Sequence, residues 1–142
     1  MKKNLLILLG IFLLMVAILS YTYYNVQKIN ILANQANKEY ELYTKNTIVG
    51  SSLMTLINKA IDQNEKEQIP KDKQNRYIEN EENSIRIEIK FSESDKIFAM
   101  EAIAKLGSEQ FIKNYNSMTF QCTKKEYHEK TKKMKYMLFE QI

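Results

Sequence analysis

Cysteine occurs once in this chain, at Cys122, so no internal disulfide can form. Histidine also occurs once, at His128, and tryptophan is absent. Three glycines and one proline are too few for a Gly-rich phosphate loop or a flexible Pro/Gly linker. A domain with no disulfide staple must rely on core burial or on partners. Arginine is scarce too, two residues against 19 lysines, so cationic patches here favour diffuse attraction over bidentate recognition.

These scarcities remove most catalytic readings. A Cys122–His128 nucleophilic pair needs both groups at one cleft. They lie six residues apart, about 20 Å along an extended strand. One His, one Cys and no carboxylates at ligand spacing argue against a metal site. Glu79, Asn80, Glu81, Glu82 and Asn83 lack the spaced Asp/Asn and Gly of an EF-hand loop, and read as a solvated acidic loop. Gly10 has no second Gly four residues away, so a GxxxG dimer face is not supported. No enzyme and no cofactor are expected. His128 is expected at a solvated turn, and Cys122 as a small inward hydrophobe on a strand.

Charge is missing between Lys3 and Lys28. In its place stands an apolar run, Leu-Leu-Ile-Leu-Leu-Gly-Ile-Phe-Leu-Leu-Met-Val-Ala-Ile-Leu, over residues 5–19. As a helix, Leu5 to Val26 spans roughly 33 Å at about 1.5 Å per residue, enough for a hydrocarbon core of about 30 Å. Twelve residues of the run are Leu, Ile, Phe or Val. At about −0.3 to −0.6 kcal/mol each they favour insertion by roughly 4–7 kcal/mol. Tyr21, Tyr23 and Tyr24 follow, where amphipathic rings prefer the interface. Lys2 and Lys3 precede the run, so the positive-inside rule puts the N-terminus in the cytoplasm and the rest outside. A cleaved secretory signal needs small residues at −3 and −1, and the best placement puts Ile18 at −3. An uncleaved single-pass anchor in the cell membrane is therefore expected.

The helical pattern continues without a break. Val26, Ile29, Ala33, Ala36, Tyr40 and Tyr43 follow at spacings of 3, 4, 3, 4 and 3. Ala and Tyr make a weak coiled-coil seam, so the stripe is expected to pack on the protein's own sheet. A second helix is read from about 48 to 65, with Thr47 as its cap and Gly50 costing stability unless close packing uses it. Residues 64–83 read as a loop, with a short strand at Arg76–Ile78. Residues 84–91 alternate, with Ile85, Ile87, Ile89 and Phe91 on one face, and Ser92 to Asp95 ends the pattern. Helical structure follows over 99–115, split at Gly107-Ser108 with Ser108 capping the second part. Met118, Phe120 and Cys122, then Met134, Tyr136 and Leu138, alternate on two strands joined by a polar tip at Tyr127–Thr131.

The fold class expected is α+β: a long transmembrane-plus-stalk helix and a small antiparallel sheet of about three strands covered by helices. Residues 1–25 form the anchor, 26–46 the outer helix continuous with it, and 47–142 one small extracytoplasmic domain. Charge divides unevenly within it. Residues 62–101 hold 11 acidic and 7 basic groups, a net −4. Residues 124–135 hold Lys124, Lys125, Lys130, Lys132, Lys133 and Lys135 against Glu126 and Glu129, a net +4. Those lysines read either as a solvated hairpin tip or as a patch for an anionic surface.

The layout resembles the type IV pilins and pseudopilins, minor pilins included. It rests on the run 5–19, its continuation through Tyr43, and strands at 84–91, 117–126 and 133–140. In that family the outer half of a long, half-embedded helix packs on an antiparallel sheet of three or four strands. The resemblance implies a non-enzymatic, membrane-anchored envelope protein, a component of pilus or secretion assemblies. Its partners would be the membrane and other membrane, pilus or secretion subunits met through the N-terminal helix. The alternative is a membrane-tethered binding module whose Lys-rich tip contacts anionic lipid, wall polymer or DNA.

Overall fold

The computed structural model describes residues 2–94 and 96–142, so Asp95, at the end of the break read at Ser92 to Asp95, lies outside the described residues. A single helix, α1, runs Lys2–Thr44, 43 residues without interruption. No proline falls within it, and each backbone N–H past the first turn finds a carbonyl four residues back. Two compact units divide the chain: the first ends at Leu32 and the second runs Ala33–Ile142. In the first unit the aliphatic side chains are exposed, from Leu5 at 67% to Ile18 at 53%. The helix is long and apolar enough to cross a membrane, and no part of its most apolar stretch is buried. Exposed aliphatic side chains on a helix that satisfies its own backbone groups fit a single-pass anchor.

The second unit is α+β. After α1 come β1 (Ile48–Val49), α2 (Gly50–Lys66), β2 (Arg86–Lys90) and β3 (Ile97–Ala99). Then follow α3 (Met100–Leu106), α4 (Ser108–Tyr115), β4 (Thr119–Tyr127) and β5 (Met134–Gln141). The five strands form one sheet in the order β1-β4-β5-β2-β3. The long helix and the α+β class agree with the expectation, whereas the sheet corrects it. It has five strands rather than about three, and it is mixed, because β2 runs parallel to β5. Two of the strands are edge pieces of two and three residues, too short for alternation to show. Strand direction is not encoded in side-chain alternation, so the parallel pair has no local signature.

One face of the sheet is buried. Ile87 and Ile89 of β2, Phe120 of β4, and Met137 and Phe139 of β5 are fully buried with Leu53, Leu56 and Ile57 of α2 and Phe111 of α4. The alternation read in β2 holds. That in β5 does not. Tyr136 and Leu138 were expected inward with Met134, but Met134, Met137 and Phe139 are the buried set. Glu126 pairs with Tyr136 while Tyr127 pairs with Met134, which leaves Lys135 as an extra residue. Such a bulge shifts every later side chain to the other face. Tyr136 therefore lies on the wet face, where its hydroxyl donates to Glu88 at 2.7 Å.

Glycine has a definite use at Gly50. A Cβ there would stand 2.1 Å from the Tyr115 carbonyl oxygen, so α2 and α4 approach more closely than any side chain permits. Thr47 does not cap α2. Val49 holds that position in extended conformation, and the Gly50 N–H donates to the Met118 carbonyl at 3.1 Å. The end of the neighbouring strand thus takes the place of a side-chain cap. Gly107 (φ 94°) separates α3 from α4, as the sequence suggests, but Ser108 is the first residue of α4 and not its cap.

Candidate functional site

The residues singled out in the sequence meet where the β4–β5 turn, the 79–85 loop and α1 come together. The turn itself, residues 128–133, is closed by its backbone. The His128 N–H donates to the Lys133 carbonyl, and the Lys132 N–H to the His128 carbonyl, both at 2.9 Å. Lys132 adopts φ 58°, a left-handed conformation uncommon for a side-chain-bearing residue. Asn37 of α1 holds it there, donating to the Lys132 carbonyl at 2.8 Å and accepting the Met134 N–H at 2.6 Å.

His128 is the main departure from expectation. It is 2% exposed, not solvated. Its Nε2 lies 2.8 Å from the Ser84 carbonyl oxygen. A carbonyl only accepts, so Nε2 carries the proton. Nothing in a polar hexapeptide between two strands signals this burial, because the partner is a main-chain atom 44 residues away. The loop that supplies it is itself ordered by side chains. Asn80 Oδ1 accepts the N–H groups of Glu82, Asn83 and Ser84. Asn64, fully buried on α2, grips the next residue by exchanging two 2.8 Å bonds with the main chain of Ile85.

The six lysines do not form one patch. Lys124 and Lys125 are successive residues of β4 and therefore point to opposite faces of the sheet. Lys124 pairs with Glu126 at 2.8 Å, and Lys125 with Glu41 of α1 at 2.8 Å. Lys130 pairs with Glu81 and Lys135 with Glu79, both at 2.5 Å. Lys132 and Lys133 have no ion-pair partner among the described residues. The acidic loop and the basic hairpin, separate blocks of −4 and +4 in the sequence, therefore supply two of each other's counter-ions. Opposite net charges in two segments were the signal available for this. The hydrogen bond from Lys130 holds Glu81 below the usual carboxylate range, and that from Lys124 does the same for Glu126. At Glu41, burial pushes upward, but the bonds from Lys125 and Tyr127 and the Lys125 charge outweigh it and keep it low.

A cleft of about 530 Å³ lies beside the turn, lined by Glu79, Glu81, Glu126, His128, Glu129 and Lys135 among others. Among the described residues, no three His, Cys, Asp or Glu side chains are grouped to hold a metal ion. Cys122 is half-buried, its Sγ donates to the Lys124 carbonyl, and burial pushes its thiol up, away from the reactive thiolate. His128 and Cys122 thus engage different carbonyls. The arrangement orders backbone: Asn37, Asn64, Asn80 and His128 each grip main-chain atoms. No protein-family model, curated protein or solved structure matches the chain.

Proposed function

We propose that this chain is a non-enzymatic, single-pass envelope protein whose N-terminal helix is both membrane anchor and docking element. It is a pilin-like component, or an accessory, of a pilus or secretion assembly. Lys2 and Lys3 put the N-terminus in the cytoplasm and the α+β domain outside the cell membrane. The observation that carries the reading is that bare apolar surface continues along α1 past the Leu5–Val26 stretch that fills a bilayer. Ile29 and Leu32, which continue the row from Val26 at spacings of three along one face, are 39% and 51% exposed. Contiguous apolar side chains left in water mark an interaction surface, and a neighbouring helix covers such a stripe well.

A photo-reactive residue at Leu32 or at the exposed Ala36, in cells, tests it. Adducts with further copies or with other membrane proteins are expected. Monomer alone at both positions overturns the reading. Protease added outside intact cells or spheroplasts should digest the domain, and full protection overturns the orientation.

A further inference from the structure

The last stretch of α1, from Ala33 to Thr44, covers the domain in an unusual way. Only Ala33, Asn37 and Tyr40 of it are buried. Of these, Tyr40 belongs to the main hydrophobic cluster, whose other buried members among the described residues come from α2 onward, and the half-buried Tyr43 packs against it. Most of the core is therefore closed without this segment, which adds two tyrosines at its edge. What holds the segment is mostly polar. Asn37 makes its two bonds to the turn backbone, Glu41 bonds Lys125 and Tyr127, and Glu39 pairs with Lys59. The ion pairs involve exposed side chains and add little.

Two further observations mark the segment as separable. An open cleft of about 330 Å³ runs alongside it, lined by Gln35, Asn37, Tyr40, Lys59, Gln63 and Met134 among others, so packing along that edge is incomplete. Past Thr44 the chain leaves the helix at Lys45–Thr47 before entering β1, which provides a hinge.

We propose that Ala33–Thr44 is a strap that lifts from the domain as a unit while the core beneath stays folded, with Asn37 as its latch. Lifting bares the Ala33–Asn37–Tyr40 face for a second helix. That consequence rests on the assembly reading, whereas the lifting itself does not.

Hydrogen exchange on the full chain in lipid nanodiscs separates the two. In the wild type, amides of Ala33–Thr44 should exchange at least tenfold faster than those of Leu53–Ala60 in α2, with little dependence on denaturant. Equal rates, or a shared denaturant dependence, overturn the strap. In Asn37→Ala the strap and turn amides should exchange about tenfold faster again while α2 and β2 are unchanged. Loss of protection throughout the domain, or no change in the strap, overturns the latch. Failure of the cross-linking at Leu32 and Ala36 leaves these exchange results standing.

Discussion

The two ends of the sheet are built from different materials. At one end, around residues 128–134, buried contacts are hydrogen bonds from Asn37, Asn64 and His128 to main-chain atoms, ringed by ion pairs. At the other, near Thr119 and Gln141, contacts are aromatic. Phe91 lies 4.8 Å from Tyr115 and stacks edge-on to Phe98 and Phe120, while Phe111 lies 4.9 Å from Tyr115. Nine residues of β4 separate them, about 30 Å. The two ends divide the labour. Apolar burial is non-directional and supplies stability, whereas buried amide and imidazole bonds select one geometry for loops that have no ladder of their own.

The comparison breaks if the polar end outweighs the apolar one. The largest effect is expected from Phe111→Ala, which empties a fully buried aromatic site and should cost about 3–5 kcal/mol in urea unfolding of the full chain. Gly50→Ala comes next. Its Cβ meets backbone and not a flexible side chain, so about 3 kcal/mol is expected by the same measurement. His128→Ala leaves the Ser84 carbonyl without its donor and should cost about 1–3 kcal/mol. A loss above that of Phe111→Ala would reverse the ranking of the two ends.

Acid should have the smallest effect, and only at the polar end. Glu41 sits below its ordinary value of 4.5, so its contribution is complete above that value and disappears as pH falls through the lowered one. About 1 kcal/mol is at stake, since the partners are partly exposed. Thermal melts from pH 6 to pH 3 should drop by a few degrees more in the wild type than in Glu41→Gln. Parallel curves would remove Glu41 from the account.

The α1 helix, the inward face of β2 and the split at Gly107 were legible because each depends on residues close in sequence. Three or four apolar residues per two turns or a strict alternation is enough to declare them. Burial of His128 was not legible, nor was the inward set of β5. The first depends on a carbonyl 44 residues away, and the second on a single extra residue, Lys135, whose position only the pairing with β4 reveals. The lysine-rich stretch was legible as charge and misleading as a patch. Three of its four counter-ions sit on α1 and the 79–82 loop, which composition counts separately.

A long helix apolar enough for a bilayer and a small α+β domain are written locally, since burial period and hydropathy act along the chain. The mixed, five-stranded sheet, the helix contact at Gly50 and the pairing of four of the six lysines arise from the assembled fold. Strand direction, close approach and ion pairing are relations between distant segments, and no local pattern carries them.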